Sequence, residues 1–421
     1  MKILKCITVA VLLIALGVSS LQGSDTRVTS MGYLANLYLR DNYNIWYFPS
    51  TITNYRNLII IDSNNGYFSG SDQLFGSPVY GNKMWRGGIH LPLSSAFTMG
   101  VYLSNDTRDL LIEDTSLDQA SHQFTLFGGY SMDNVDLGIY ASSYSTKETF
   151  TDPDTPDNNT EENLTRREYG VGVSFKGNER TRVDGTIFYR TGDFASILAG
   201  RTPTQLMAPE SYNSYGILVR VFYAYSAKVI IVPFAGYGVE KAGYRSLVPD
   251  AFTLTQVYKS TMYLIGCGVD LIPFERALIS LAAGYQKMSM TSDVTLSSGT
   301  PDPSNEYGGH VLPFLSVGLE ARLTKWLGAR FSFYELLGTE ITKSLSTVGD
   351  NLTERKETGS SYSARFGLWF RWARFTIDVL VDTESLSDFL HNGPYILSGN
   401  QHEQGLFPKL SITYNFNSND Q

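Results

Sequence analysis

Alternation of apolar and polar residues is clearest in the segment Ser361–Asp382, which reads SYSARFGLWFR, then WA, then RFTIDVLVD. A period of two places successive side chains on opposite faces of a β-strand, so this segment predicts a hairpin with two unlike faces. One face is apolar. The other carries arginine and aspartate in the middle of the strand, where a soluble core rarely tolerates charge. A wall with lipid outside and water inside requires this pattern, which therefore indicates a transmembrane β-barrel.

The same pattern recurs along the chain and predicts sixteen strands, most of them long enough to cross a bilayer when tilted. We therefore predict an all-β fold, a transmembrane antiparallel up-and-down β-barrel. Segment 228–238 is apolar on both faces and contains Pro233, which indicates a bulge or a wall covered from inside. The predicted strands are 56–63, 84–91, 95–104, 122–131, 134–143, 168–176, 181–190, 213–224, 228–238, 258–270, 277–288, 310–320, 326–335, 361–371, 374–383 and 408–416.

The connections between these segments alternate in length. Seven are short turns, and eight are long polar loops, which places both chain ends on the side of the short turns. Short periplasmic turns and long external loops are the arrangement of outer-membrane barrels, so we expect the cell outer membrane as the location. The predicted loops are 64–83, 105–121, 144–167, 191–212, 239–257, 289–309, 336–360 and 384–407.

The chain divides into four parts. Residues 1–23 carry Lys2 and Lys5, a short apolar run and then small residues, which predicts a secretory signal peptide cleaved between Ser20 and Ser24. Residues 24–55 alternate poorly and predict a non-barrel segment that precedes or plugs the barrel, with a short helix or turn over 31–39. Residues 56–416 form the predicted barrel, and 417–421 a C-terminal tail. Loss of Cys6 with the signal leaves one cysteine, so no internal disulfide is expected.

Composition narrows the choice of partners. The formal charge is −8 and becomes about −10 without the signal segment, which gives no electrostatic reason for nucleic-acid binding. After the N-terminus no apolar run reaches 18 residues, which excludes a helical membrane protein. The expected partners are outer-membrane lipids, the barrel-assembly machinery, through a final strand ending at Phe416, and an unknown small solute. Aromatic residues near strand ends predict interfacial girdles: Trp85, Tyr102, Tyr130, Tyr223, Tyr237, Trp326, Tyr334 and Trp372.

Charged residues on the inner face are the main functional lead. They either line a pore and set its selectivity, or pair with one another to brace the interior and hold a plug. Opposite signs on neighbouring strands, Arg365 and Arg371 beside Asp378 and Asp382, favour bracing. Inward aromatic residues such as Tyr140, Phe188 and Trp369 favour a path for hydrophobic or amphipathic molecules. The candidate lumen-lining residues are Asp136, Arg182, Asp184, Arg190, Arg220, Asp270, Glu320, Arg330, Arg365, Arg371, Arg374, Asp378 and Asp382.

No motif predicts catalysis, a metal site or a cofactor. The sequence lacks HExxH, GxSxG and a phosphate loop, and the acidic loop Thr151–Asn163 lacks the spacing of a calcium-binding loop. His90, His122 and His310 lie near predicted strand ends, which leaves a hydrolase at the barrel rim as a minor alternative. Cys267 falls on an apolar face and is interpreted as a small hydrophobic residue.

The segment Asp25–Tyr55 resembles the N-terminus of FadL-type and PorV-like outer-membrane proteins, which begin with a pattern close to T-R-x-x-x-M-G-G. Thr26, Arg27, Met31 and Gly32 match that opening, and Phe48-Pro49-Ser50 stands where the family has Asn-Pro-Ala. The resemblance implies a barrel of fourteen or a similar number of strands with this segment inside. The candidate plug residues are Arg27, Met31, Gly32, Trp46 and Pro49.

These observations leave several functions open. The first is a transport barrel that passes or binds small, in particular hydrophobic, solutes across the outer membrane. The second is a plugged structural or docking barrel that binds protein partners through its long external loops. The rim hydrolase is the third, and a soluble periplasmic β-sandwich is the alternative fold.

Overall fold

The computed structural model is a closed barrel of sixteen antiparallel strands in which each strand pairs with its sequence neighbours and β1 pairs with β16. The predicted fold class and the count of sixteen are confirmed, and fourteen is excluded. The structure describes residues 24–64, 84–105, 122–150, 160–198, 206–247, 253–296, 301–345, 352–381 and 409–416.

Seven short connections join the strands in pairs at one end, here called the turn end; the other is called the loop end. Both ends of the strand ladder lie at the turn end, where the Phe416 N–H donates to the Asn57 carbonyl at 3.0 Å. The strands are β1 Leu58–Asn64, β2 Met84–Pro92, β3 Phe97–Ser104, β4 His122–Ser131, β5 Val135–Phe150, β6 Thr160–Asn178, β7 Thr181–Leu198, β8 Leu206–Ser226, β9 Val229–Leu247, β10 Thr253–Phe274, β11 Ala277–Leu296, β12 Pro301–Arg322, β13 Leu327–Leu345, β14 Leu352–Trp372, β15 Phe375–Val381 and β16 Lys409–Asn415.

The two faces of the wall follow the predicted alternation. On β6, Tyr169, Val171, Val173 and Phe175 are exposed on the outer surface, whereas Ser174 between them is fully buried. Cys267 lies on the outer surface with them. Exposing so many large apolar side chains to water would cost free energy, whereas their contact with hydrocarbon does not. The alternation and the closed ladder of strands therefore define a barrel of transmembrane type.

The loop-end boundaries were predicted wrongly. β6, β8, β12 and β14 begin seven to nine residues before their predicted starts, and β5, β7, β9, β11 and β13 extend beyond their predicted ends. Much of the predicted loops 144–167, 191–212, 239–257, 289–309 and 336–360 is therefore strand. His310 consequently lies inside β12 rather than near its end.

Other predictions about the strands need correction as well. Tyr102 and Tyr334 were assigned to the aromatic girdle, but both are buried inside the barrel. For segment 228–238 the interpretation as a bulge is wrong, since Pro233 causes no register shift between β9 and β10. The alternative of a wall covered from inside is confirmed, because Val232 and Phe234 are buried where the N-terminal segment packs against this part of the wall.

Residues 24–55 lie inside the barrel and are here called the plug. The plug contains α-helix Asp25–Ser30, one α-helical turn at Ala35–Tyr38, and 3₁₀ helices Asn42–Trp46 and Pro49–Asn54. The helix predicted over 31–39 is thus confined to 35–38. Pro49 begins a 3₁₀ helix instead of only breaking the chain, since proline lacks an N–H that the first turn would leave unpaired. No helix among the described residues is long and apolar enough to cross a bilayer.

Candidate functional site: the plugged lumen

The first contact between plug and wall is a buried chain of ion pairs. Arg27 binds Asp41 of the plug at 3.0 Å and Glu320 of β12 at 2.8 Å. Arg330 of β13 joins Glu320 at 3.3 Å to Asp378 of β15 at 2.5 Å. All five side chains are almost completely buried, so each charge depends on its partners.

Two plug groups in this chain have shifted ionisation. Burial opposes the charge of Arg27, but the carboxylates of Glu320 and Asp41 outweigh it and raise its pKa. Burial raises the pKa of Asp41 to about 7, although Arg27 and the Tyr43 N–H favour the carboxylate. Asp41 is therefore a plug residue whose charge changes near neutral pH.

A second contact centres on Arg220 of β8. Its guanidinium binds Asp184 of β7 at 2.9 Å and donates to the main-chain carbonyls of Asn36, Leu37 and Leu39 at 3.0 to 3.4 Å. The same group lies over the ring of Phe48 at 4.0 Å. One side chain of the wall thus satisfies the C-terminal carbonyls of the plug's helical turn.

A third contact joins the plug to β2 and β16, the two strands on either side of β1. Asp25 of the plug accepts from Arg86 of β2 at 3.1 Å and from Lys409 of β16 at 2.9 Å. Arg86 also binds Asp62 of β1 at 3.2 Å and lies over the rings of Tyr43 and Trp46. The plug therefore spans the seam where the barrel closes.

The predicted plug residues lie in close contacts. Gly32 has a φ of +124°, a conformation that residues with a Cβ rarely adopt, and a Cβ there would overlap Ser316. The Met31 carbonyl lies where a side chain at Gly318 would be, and the Pro49–Ser50 peptide bond lies where one at Gly138 would be. Trp46 makes edge contacts with Tyr102 and Phe127. Glycines in the wall therefore allow the plug backbone to approach the strands.

His90 also holds the plug. It is fully buried, with Nδ1 2.5 Å from the Tyr55 carbonyl and Nε2 2.7 Å from the Tyr102 hydroxyl. Both ring nitrogens are occupied by these structural contacts, which argues against the role in a rim hydrolase considered for this residue.

The remaining predicted charges occupy different positions. Asp136 pairs with Lys176, Arg182 with Asp184, and Arg190 with Glu168. Asp270 accepts from Ser280, and Arg365 donates to the Thr29 carbonyl of the plug. Arg371 lies over Trp369, and Arg374 donates to the Phe416 carbonyl at the turn end. Asp382 lies outside the described residues. Asp378 binds Arg330 of β13, and Arg371 adds a longer-range attraction to Asp378.

A cavity of about 310 Å³ lies between the loop-end side of the plug and the wall from β2 to β10. Leu34, Leu37, Trp46 and Tyr47 contribute its plug side. The residues of its wall combine apolar and aromatic types with a few polar ones: Arg86, Gln123, Tyr140, Ser142, Tyr144, Arg166, Glu168, Thr186, Phe188, Arg190, Leu218, Tyr237, Met262 and Leu264.

Cationic groups outnumber carboxylates in this cavity. Glu168 accepts from the Tyr140 hydroxyl and binds Arg166 at 3.4 Å and Arg190 at 3.2 Å. Arg86 lines the cavity as well, and its carboxylate partners Asp25 and Asp62 are not lining residues. The cavity is thus an apolar space with one polar, electropositive wall.

Sequence reasoning missed several of these residues. Glu168 has the inward parity of Gly170 and Ser174 on β6, so alternation alone indicated its direction. Arg166 was assigned to a loop because the predicted strand began at residue 168. Asp41 matches only the acidic step of the FadL-type opening, and Arg86 carried no local signal, because the importance of both residues depends on the contact between plug and wall. No group of three or more metal-ligating side chains occurs among the described residues.

Comparison with known proteins gives distant structural likeness only. No protein-family model and no curated protein matches the sequence. The toluene transporter TodX of Pseudomonas putida is 10% identical, with 94% of this chain and 99% of that chain covered and a TM-score of 0.42. The ferric yersiniabactin uptake receptor FyuA from Yersinia pestis is 8% identical, with 86% and 80% covered and a TM-score of 0.41. For the ferric citrate transporter FecA the identity is 10%, the coverage 77% and 58%, and the TM-score 0.41. The function of this chain therefore has to be argued from its own geometry.

Proposed function

We propose that this protein is an outer-membrane transport barrel that binds small amphipathic solutes beside its plug and passes them across the membrane. The cavity between the plug and β2–β10 carries this proposal. Ligand sites are typically concave, mostly apolar and provided with a few convergent polar groups, and the cavity has all three properties.

The size of the cavity limits the solute. At about 310 Å³ it lies at the small end of ligand pockets and equals roughly ten times the share of liquid volume of one water. Leu34, Leu37, Leu218, Met262 and Leu264 suit an apolar body. The guanidinium groups of Arg166 and Arg190 suit a polar or anionic end, because charge-assisted hydrogen bonds fix orientation.

Filling the cavity tests this function. Leu218→Trp places an indole in the space, and we expect uptake of small amphipathic solutes into proteoliposomes to fall about tenfold or more. Leu281→Trp is the matched control, because Leu281 lies on the outer surface and its variant leaves the cavity unchanged. Both variants should keep the heat-modifiable band shift of a folded barrel. Equal uptake by both variants would contradict the proposal.

A plugged docking barrel is the second candidate, favoured by the buried ion pairs that hold the plug. Deletion of residues 25–55 distinguishes the two. If the intact protein takes up no solute while the deletion variant conducts ions, the plug closes the barrel permanently and docking is the better function. If the deletion leaves conductance unchanged, the plug does not close the lumen at all.

We also propose, from the sequence, a family relationship, a cleaved signal peptide and recognition by the barrel-assembly machinery. The Thr26-Arg27 and Met31-Gly32 pattern and a plug inside the barrel support a relationship to FadL-type or PorV-like proteins. The Lys2 and Lys5 segment supports a cleaved signal, and the final strand supports recognition by the barrel-assembly machinery. Fractionation of cells into inner and outer membranes tests the location directly.

A further inference from the structure

We propose that Lys241, Lys259 and Lys287 form a docking surface, here called the basic patch, for phosphate-bearing lipids in the membrane leaflet at the loop end. This inference rests on the barrel spanning a membrane and does not depend on which solute the barrel takes. It starts from the outer surface of three neighbouring strands, β9, β10 and β11.

Two lysines of the basic patch face each other directly. Lys241 of β9 and Lys259 of β10 are cross-strand partners, and both are exposed. They lie on the outer face, because Lys259 has the parity of Tyr263 and Ile265, whose side chains are exposed there. Like charges on directly opposed strand residues repel each other. An anion bound between the two ammonium groups would relieve this repulsion.

Lys287 extends the basic patch towards the turn end. It is exposed on β11, where it is the direct cross-strand partner of Tyr263. Because Tyr263 follows Lys259 by four residues, Lys287 lies about 13 Å further along the strand direction than Lys259. The basic patch therefore has two cationic positions, which suit a headgroup with more than one phosphate group.

The described residues provide no carboxylate partner for the basic patch. Within that part of the chain none of its three lysines forms an ion pair or a side-chain hydrogen bond. Glu240 directly precedes Lys241 but points into the barrel, where its cross-strand partners Ser214 and Ser260 are buried. The positive charge of the basic patch is thus directed outward.

The depth of the basic patch is that of lipid headgroups. Tyr215 and Tyr263 are exposed on the outer surface, as is typical of aromatic residues at a membrane interface. Lys259 lies four residues closer to the loop end than Tyr263, which at a tilt of about 40° is roughly 10 Å in depth. The headgroup zone is about 5–8 Å deep on each side of a bilayer. The flexible stem of lysine lets its ammonium group reach back into that zone.

The surface beside the basic patch favours a lipid over a free anion. Towards the turn end, Ile217, Ile265 and Leu281 expose apolar side chains on the same outer face of β8, β10 and β11. Lysine binds phosphate as a point charge, and basic clusters next to membrane-spanning segments bind anionic headgroups. A bound lipid would place its phosphate groups on the lysines and its acyl chains along the apolar surface, whereas inorganic phosphate would make only the first of these contacts.

Lipid binding by the folded barrel in non-ionic detergent tests the proposal, with diphosphorylated lipid A as the probe and native mass spectrometry as the measurement. In the double variant Lys241→Ser, Lys259→Ser we expect the affinity for lipid A to fall at least about tenfold, and adding Lys287→Ser should weaken it further. These variants should keep the heat-modifiable band shift and the solute uptake of the wild type, because the three lysines do not line the cavity. Unchanged affinity in the double variant would overturn the proposal.

A second pair of lysines is the matched control. Lys343 of β13 and Lys356 of β14 also lie on the outer face towards the loop end, but there Lys343 directly opposes Glu354, a residue of opposite charge. Because distant surface charges are screened by salt, we expect Lys343→Ser, Lys356→Ser to change the affinity by less than about twofold. An equal loss in both double variants would reduce the effect to overall charge and would overturn the assignment of a site.

Two further measurements test the kind of ligand and its position. Lipid A should stay bound in millimolar inorganic phosphate, because its acyl chains contribute to binding, and its displacement would show that the lysines take a free anion instead. Lipid A should also slow amide hydrogen exchange of residues 239–243 and 257–261 in the wild type but not in the double variant, because a bound phosphate relieves the repulsion there. Equal wild-type exchange with and without lipid A would overturn the placement of a phosphate between Lys241 and Lys259.

Discussion

Arg220 illustrates how a single buried residue ties the plug to the wall. Its charge is balanced by Asp184, and its Nη1 is directed at the plug carbonyls of Asn36, Leu37 and Leu39, the last of which also accepts from Asn44. A buried ion pair of this kind contributes little compared with an apolar replacement, but removing one partner leaves an uncompensated charge and unpaired carbonyls. Its role is therefore to specify where the plug docks.

Replacing Arg220 with alanine should loosen the plug. Breaking a buried pair costs about 3–5 kcal/mol, and we expect roughly 3 because Arg182 and Ser174 still bind Asp184. Hydrogen exchange of residues 36–48 should accelerate by about a hundredfold. Arg355→Ala is the control, because Arg355 is 75% exposed in its ion pair with Glu357 and its loss should leave the exchange unchanged. If Arg220→Ala leaves it unchanged too, Arg220 does not hold the plug.

Asp41 makes plug docking depend on pH. Burial raises its pKa to about 7 in the docked plug, compared with about 3.9 in an unfolded chain. Between these values Asp41 binds more protons in the docked plug than in the released plug, so its contribution to docking is greatest below about pH 4, weakens as the pH rises to about 7 and is constant above it.

Hydrogen exchange of the plug checks the direction of this effect. After correction for intrinsic exchange rates, we expect plug opening to be about tenfold or more frequent at pH 8 than at pH 5. Asp41→Asn should remove most of this difference, because the amide does not titrate. A wild-type plug that opens more frequently at pH 5 than at pH 8 would contradict the prediction.

At the residue level the sequence predicts which face of the wall a side chain points to, but not which residue it binds. Alternation indicated that Asp378 points inward, and the opposite signs on the hairpin indicated that inward charges brace the interior. The structure pairs Asp378 with Arg330 two strands away, a partner that the alternation does not specify. Gly367 lies opposite Arg330 on the intervening strand and has no side chain to block this reach. Arg365 turns to the plug carbonyl of Thr29, a contact that no local pattern encodes.

At the level of strands, six inward aromatic rings lie over glycines on the neighbouring strand. In each case the glycine is the direct cross-strand partner, and a Cβ on it would overlap the ring. Such pairs cover the exposed backbone of a strand glycine and fix the register. Inward aromatic residues therefore do not by themselves indicate a hydrophobic path. The pairs are Gly88–Tyr102, Gly170–Tyr140, Gly216–Phe188, Gly266–Phe234, Gly284–Phe314 and Gly328–Trp369.

Adding one methyl group to such a glycine should weaken the barrel. In Gly328→Ala the new Cβ meets the indole of Trp369, and overpacking of this kind costs about 1–3 kcal/mol. We expect a lower unfolding temperature in the heat-modifiability assay. Gly359→Ala is the matched control, because nothing lies within 4 Å of a Cβ at that position. Adding Trp369→Leu to Gly328→Ala should recover part of the loss, and an equal effect of both alanine variants would exclude the ring contact as the cause.

The strand ends show where the sequence pattern loses its information. Within the membrane, one face contacts lipid and the other the lumen, so alternation predicts β6 as far as residue 168. Before that point the strand already runs through TEENLTRR, in which the apolar and polar residues do not alternate. The hydrogen-bond ladder to β5 and β7 nevertheless continues to Thr160. Hydrophobic periodicity therefore reports the membrane-spanning part of a strand and not the whole strand.

Over the whole molecule, a row of tyrosines towards the loop end and Tyr223 at the turn end mark the limits of the membrane. Tyr169, Tyr189 and Tyr215 are exposed and directly opposed on three neighbouring strands. Tyr223 lies eight residues further along β8 at the turn end, about 26 Å along the strand. With a tilt of about 40° this is roughly 20 Å, close to the apolar band of such barrels. Glu168 and Arg190, which line the cavity, are the chain neighbours of Tyr169 and Tyr189 in the tyrosine row. The cavity therefore lies at the depth of the membrane interface nearer the loop end.

Lysine substitutions on β8 test this placement. Val219 lies midway between Tyr215 and Tyr223 on the outer surface, so Val219→Lys should destabilise the barrel in phospholipid vesicles by about 2–4 kcal/mol. Tyr225→Lys, at the turn-end limit of the same strand, should cost about 0–1 kcal/mol because its ammonium group reaches water. Reversible guanidinium unfolding in vesicles measures both values. Similar small costs at the two positions would place the centre of β8 outside hydrocarbon, and the outward apolar residues would then require a partner other than lipid.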